Sequence, residues 1–211
     1  MTVRPIQFLR DDFPRLFNRG VEVLQTRASG GDEQAQRILA DVQGVTGAAR
    51  LEVQGEPPIV LSAAEGSLTA GDAPPAGVPL KVSAKIPGDA VQLLLGEALQ
   101  AGALENDEVA VGAAQTASKR FEDALAGRPM TLSAKVKGVP DLGDVVLQVA
   151  FNVPEIPDTP GFTTEVDFTD LDAARRGELT VQELFLGGKL KMEGDYSMAL
   201  QISMQLLTNP L

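Results

Sequence analysis

The 211-residue sequence contains no cysteine, no histidine and no tryptophan, and only one tyrosine. Each absence removes a chemistry. Without histidine or cysteine there is no Ser-His-Asp or Cys-His nucleophile, no thiolate or imidazole metal site, no redox pair and no disulfide framework. Basic residues are scarce relative to acidic ones, 18 against 29, for a formal charge of -11. No stretch of Lys and Arg forms the basic stripe that a phosphate backbone requires, so a nucleic-acid partner is not expected. Long apolar runs are missing as well. None approaches the roughly 18 to 20 residues of a membrane span, and the N-terminal Met1-Thr2-Val3-Arg4-Pro5 is not followed by the apolar core of a signal peptide. The expectation is a cytoplasmic chain with no stable membrane insertion, whose available catalytic groups reduce to carboxylates, lysines, hydroxyls and backbone amides.

What is present is a core-forming chain, 44% hydrophobic with 4% aromatic residues. Phe13, Leu16, Phe17, Val21 and Leu24 recur at spacings of three to four and predict an amphipathic helix over 12–28, with Asp11 or Asp12 as its cap. After Ser29-Gly30-Gly31, the residues Ala35, Ile38, Leu39 and Val42 predict a second helix over 32–42. From Ala49 the period changes to two. Leu51 and Val53 mark one strand, a turn follows at 55–58, and 59–63 with 66–70 reads as a strand continuing through a bend. Leu80, Val82, Ala84 and Ile86 mark another strand. Val91, Leu94, Leu95 and Leu99 predict a short helix, 108–111 a brief strand ending at Gly112, and 113–125 a helix.

The order then recurs. Strands are expected over 131–138, 145–152 and 163–168, the last two separated by a Pro-rich loop (Pro154, Pro157, Pro160). Asp89 precedes Gly96-Glu97 by the same interval that separates Asp170 from Gly177-Glu178. Expected strands end at Gly112 and at Gly194, each followed by an apolar-rich segment. The chain is accordingly read as an N-terminal helical segment, 1–44, followed by two diverged copies of one unit, 45–127 and 128–211.

The second copy carries the most specific string, Leu184-Phe185-Leu186-Gly187-Gly188-Lys189-Leu190-Lys191-Met192-Glu193-Gly194-Asp195, followed by an apolar segment. This resembles the C-terminal signature of the sterol carrier protein 2 (SCP2) family: an apolar-aromatic helix end, then G-K-L-K-I-x-G-D/N and a Leu/Met-rich helix. Val166-Asp167-Phe168-Thr169-Asp170 is similar to that family's third strand and its entry to a helix. In the first copy, Asn106-Asp107-Glu108-Val109-Ala110-Val111-Gly112 stands in the place of the signature without its lysines. The resemblance implies an α+β fold, an SCP2-like mixed β-sheet covered by helices and internally duplicated here. It implies a cavity for a sterol, fatty acid, acyl-CoA or similar lipid, and binding or transfer without enzymatic bond-making. No cofactor and no metal is expected.

On that basis the lipid-binding candidates are Phe168, Leu184, Phe185, Leu190, Met192, Met198, Ile202, Met204 and Leu206, with core filling as the plainer role of each. Lys189 and Lys191 are candidates for headgroup contact, or simply the outward face of a strand. Periodicity alone makes 198–206 a strand, because Met198, Leu200, Ile202, Met204 and Leu206 alternate with smaller or polar residues, whereas the resemblance makes it a helix. The two methionines would suit a pliable wall and are equally common gap fillers. Asp170 and Asp172 have the spacing of a calcium loop, but Ala174 and Arg175 stand where further ligand and turn residues belong, and helix capping by Asp170 accounts for it. Glu105, Asp107 and Glu108 read as a solvated loop. The alternative function is a protein-interaction or assembly module whose SCP2-like cores are filled by side chains.

Overall fold

The computed structural model describes residues 5–91 and 102–208. The helix expected through Leu94, Leu95 and Leu99, and the Gly96-Glu97 pair, lie outside them. Among the described residues, eight strands form one mixed sheet: β1 (Gly47–Val53), β2 (Ile59–Ala64), β3 (Ser67–Gly71), β4 (Leu80–Ile86), β5 (Met130–Val139), β6 (Gly143–Phe151), β7 (Phe162–Asp167) and β8 (Leu190–Gly194). Their spatial order is β3-β2-β1-β4-β6-β5-β7-β8. The pairing scheme recurs along the chain. β1 is antiparallel to β2 and parallel to β4, as β5 is antiparallel to β6 and parallel to β7. β6 continues the sheet beyond β4, as β8 does beyond β7.

The longer described helices are α1 (Phe13–Ser29), α2 (Glu33–Gln43), α3 (Asp107–Ala114), α4 (Lys119–Leu125), α5 (Phe168–Arg175), α6 (Val181–Leu186) and α7 (Ser197–Thr208). The fold is therefore α+β, as the sequence indicates. None of the described helices is long and apolar enough to cross a membrane.

The period-two pattern selects which face is covered. Leu51 and Val53, Ile59, Leu61 and Ala63, Ala84 and Ile86, Val145, Leu147 and Val149, and Val166 all enter one core cluster with Phe17, Val21 and Leu24 of α1 and Ile38 and Val42 of α2. Residues on both sides of position 127 thus share a core. The alternate strand positions carry ion pairs on the opposite face, among them Arg50–Glu52, Lys137–Glu165 and Lys191–Glu165. α1 and α3 cross at close range. A Cβ on Gly20 would lie 2.0 Å from the Ala110 carbonyl oxygen, so glycine is required there and alanines line the other side.

Several local expectations change. The chain enters α1 through helical residues Pro5–Gln7 and a π-turn at Phe8–Asp12, so Asp12 makes no capping hydrogen bond. Asp32 does cap α2, accepting from the Ala35 amide at 3.0 Å. Residues 59–71 form a hairpin of two antiparallel strands, not one bent strand, because Glu65 and Gly66 both have positive φ, as a tight two-residue turn demands.

The strand expected at 108–111 is helical, and its proposed equivalence to the strand ending at Gly194 is lost. Asn106 caps this helix by accepting from the Glu108 and Val109 amides at 2.9 and 3.3 Å, and Asp107 and Glu108 occupy the favourable first turn. The single helix expected over 113–125 is two, since Ser118 turns out of the helix to cap α4 through the Phe121 amide. Asp170 is not a cap either. It lies inside the first turn of α5 and accepts from Lys189 Nζ at 2.7 Å. Residues 197–208 are helical, as the family resemblance implies.

Candidate functional site

At the end of the sheet where β1 and β4 begin, the inward positions become small. Gly47 and Ala49 of β1, in phase with Leu51 and Val53, line this end together with Ala63 of β2, and Ala117, Ala126 and Gly127 flank α4. Where larger side chains would close the gap between sheet and helices, a cleft of about 570 Å³ remains. Its apolar walls are Phe13 and Phe17 from α1, Leu61 and Leu68 from the β2–β3 hairpin, Val82 from β4, Phe121 and Leu125 from α4, and Phe151 from β6. Phe121 and Phe151 meet edge to face with ring centroids 5.3 Å apart.

A polar group sits at the mouth. The pairing of β4 with β1 shifts register between Ala48–Leu80 and Ala49–Val82, so Lys81 has no partner across the ladder. Such a bulge re-aims its side chain. Gly47 leaves the path open, since a Cβ there would lie 2.8 Å from Lys81 Cδ. Lys81 Nζ reaches Glu122 Oε1 at 2.7 Å, with both side chains 26% exposed. Lys119 also contacts Glu122 Oε1, at 3.2 Å, and pairs with Asp123; these two carboxylates, Asp123 foremost, raise the Lys119 ammonium above its usual pKa. Glu122 Oε2 is shielded from solvent and accepts no hydrogen bond from any described residue. α4, which carries this group, is fixed from behind: its Arg120 amide donates to the buried carboxylate of Asp41 on α2 at 2.7 Å.

The residues singled out from the sequence lie elsewhere. Met198, Ile202 and Leu206 come together on one side of α7 and pack with Ala124, Leu125, Phe121, Met130 and Phe151. They stand behind the Phe121–Phe151 pair. Phe168 and Leu190 pack on the main core, Leu184 is buried, and Met192 is half-buried on β8. Phe185 is exposed and Met204 is 66% exposed. None of the nine is among the described residues lining the cleft. Lys189 pairs with Asp170, and Lys191 lies 3.7 Å from Glu165 on the charged sheet face. The acidic residues at 107 and 108 are engaged by α1, Asp107 with Arg19 and Glu108 with Arg27.

The cleft residues that sequence reading missed had two signals. One is the run of Gly and Ala opening a strand otherwise rich in larger residues, and the other is a lysine beside the apolar face of β4. The arrangement can shelter an apolar body against aromatic and aliphatic walls while a polar end meets the Lys81–Glu122 pair.

No protein-family model matches the chain, and no curated protein matches it. Among solved structures it is similar in part to the solution structure of the sterol carrier protein domain 2 of Helicoverpa armigera, at 20% identity over 42% of this chain and 72% of that one, with a TM-score of 0.31. Sterol Carrier Protein 2 Like 2 from Aedes aegypti matches at 20% identity over 36% of this chain and 71% of that one, with a TM-score of 0.29. The apo form of Sterol Carrier Protein 2 from Yarrowia lipolytica matches at 17% identity over 41% and 73%, with a TM-score of 0.29. At these scores the likeness assigns no residue of this chain a role.

Proposed function

We propose that this chain binds an apolar small molecule of lipid size in the cleft between the sheet and helices α1 and α4, and shelters it without bond chemistry. The cleft itself carries the proposal. Its volume of about 570 Å³ exceeds the ~300 Å³ at which pockets begin to accept drug-sized ligands. Burial of ~300 Å² of ligand apolar surface there is worth roughly 7 kcal/mol before ordering costs, at ~25 cal/mol per Å². The signature-like string at 184–195 is a separate support, and through it a sterol, a fatty acid or an acyl-CoA-like molecule is the implied ligand class. The same resemblance takes the two halves of the chain as copies of one unit.

For the C-terminal half, the alternative of a core filled by side chains is supported by Met198, Ile202 and Leu206, whose packing against Phe121, Met130 and Phe151 occupies the space beneath α7. Native mass spectrometry of the purified protein, with displacement of an uncharged apolar dye, tests the carrier role. A co-purifying lipid or a displaceable dye is expected, and Ala49→Leu, which fills the cleft from the sheet side, should lower dye affinity by about tenfold, ~1.4 kcal/mol, without changing the circular dichroism. Absence of both lipid and dye binding in the unsubstituted protein would remove the carrier function.

A further inference from the structure

The mouth of the cleft has its cations already committed. Lys81 is held by Glu122 at 2.7 Å, and Lys119 is divided between Glu122 and Asp123. Two ammonium groups therefore face two carboxylates, in a chain whose formal charge is -11. An anionic ligand head would have to draw Lys81 away from Glu122 and leave that carboxylate unpaired beside it, which desolvation and like-charge repulsion both oppose.

A hydrogen-bond donor meets the opposite situation. Glu122 keeps one lone acceptor, Oε2, shielded and without a partner among the described residues, while Oε1 holds Lys81. The terminal torsion of a glutamate is broad, so a small rotation can turn Oε2 toward the cleft. A hydroxyl or ammonium arriving there would satisfy an acceptor that the folded chain leaves unmet. Oε1 turns with Oε2, and the flexible Lys81 side chain can follow and keep its carboxylate partner.

The geometry points to Glu122 as the residue that selects the ligand's head group, favouring amphiphiles with a hydrogen-bond-donating, non-anionic head over those ending in a carboxylate. This rests on the cleft being the lipid site, and within that site it disfavours free fatty acids among the classes the sequence resemblance implies.

The test is isothermal titration of the full chain at neutral pH with dodecanol, dodecylamine and dodecanoate, each below its aggregation concentration. The alcohol and the amine should each bind about tenfold more tightly than the carboxylate. In Glu122→Gln the alcohol-to-carboxylate ratio should collapse to about threefold or less, mainly through tighter carboxylate binding, because the competing charge is gone and Lys81 is released. In Lys81→Gln the ratio should widen. Carboxylate binding as tight as alcohol binding in the unsubstituted chain overturns the assignment of Glu122 while leaving the cleft a lipid site, and this comparison stands even if a variant fails to fold. A ratio unmoved in a folded Glu122→Gln overturns it equally. Failure of all three ligands and of the uncharged dye overturns the lipid site and the selection together.

Discussion

The two halves of the sheet share a pairing scheme and differ in what fills the space beneath their helices. β1 opens with Gly47-Ala48-Ala49, and its inward positions leave a cleft under α1 and α4. β5 opens with Met130-Thr131-Leu132, and Met130 joins Phe151 in packing against Ile202 of α7. Similar strand connectivity thus gives an open site in one half and a closed core in the other, and the choice is made by side-chain volume at a few strand-end positions. The half with the more family-like string is the packed one. Lettering along a signature therefore need not mark where the room is.

The largest effects should separate the two clusters that meet at Phe121 and Phe151. Phe17 is almost completely buried and lines the cleft. Phe17→Ala should cost ~4 kcal/mol of stability and alter dye binding as well, because it removes both core and wall. Ile202, 3% exposed, lies behind the aromatic pair. Ile202→Ala should cost ~3 kcal/mol yet leave dye affinity within about twofold at temperatures where the protein is folded. Chemical denaturation followed by circular dichroism, with dye titration below the transition, reads both quantities. Equal loss of dye affinity in the two variants would show that the aromatic pair does not divide the clusters. Since one core crosses both halves, each variant should still unfold in a single transition.

A smaller effect asks what holds α4, the helix shared by the two sides. The Asp41 carboxylate accepts the Arg120 amide at 2.7 Å from a buried position. Asp41→Ala leaves that amide without its acceptor and should cost ~2 kcal/mol. Dye affinity should fall with it, because Phe121 and Glu122 ride on the same turn. A destabilised variant with unchanged affinity would assign the placement of α4 to its contact with α7 instead.

Much of the architecture is legible in the sequence because one face of each strand is buried, which writes alternation into residues such as Ile59, Leu61 and Ala63. The misreadings have local causes. Val109 and Val111 alternate like a strand, but Asn106 caps the segment, and capping decides the conformation. In 198–206 the alternation is genuine but half of it is idle: Met198, Ile202 and Leu206, four apart, pack inward, while Met204 is exposed. The cleft was harder to see. Its walls come from two helices and five strands, and its space is made by glycine and alanine, which leave no periodic mark. Lys81 reaches it through a register shift that depends on the pairing of β1 with β4.

The smallest expected effect concerns the face of the sheet away from the helices, where the C-terminal half carries a charged ladder. The Lys135 ammonium, 2.8 Å away, and the Gly138 amide hold the Asp144 carboxyl below the usual carboxylate range, and Lys137, 3.1 Å away, does the same for Glu165. A carboxyl whose pKa is lower in the folded chain than in the unfolded one stabilises the fold fully above the unfolded value, ~4, and loses that contribution as pH falls through the lower folded value. Both pairs face solvent, so the contribution is small and is screened by salt. The difference in urea midpoint between the unsubstituted chain and Asp144→Asn/Glu165→Gln should therefore be slight at pH 7, hold down to about pH 5, begin to shrink at about pH 4 and vanish only once the pH has fallen through the lower folded values. Raised ionic strength should shrink it at every pH. A difference that persists in acid would mean that these side chains act on β5, β6 and β7 through packing, and the charged ladder would cease to distinguish the C-terminal half.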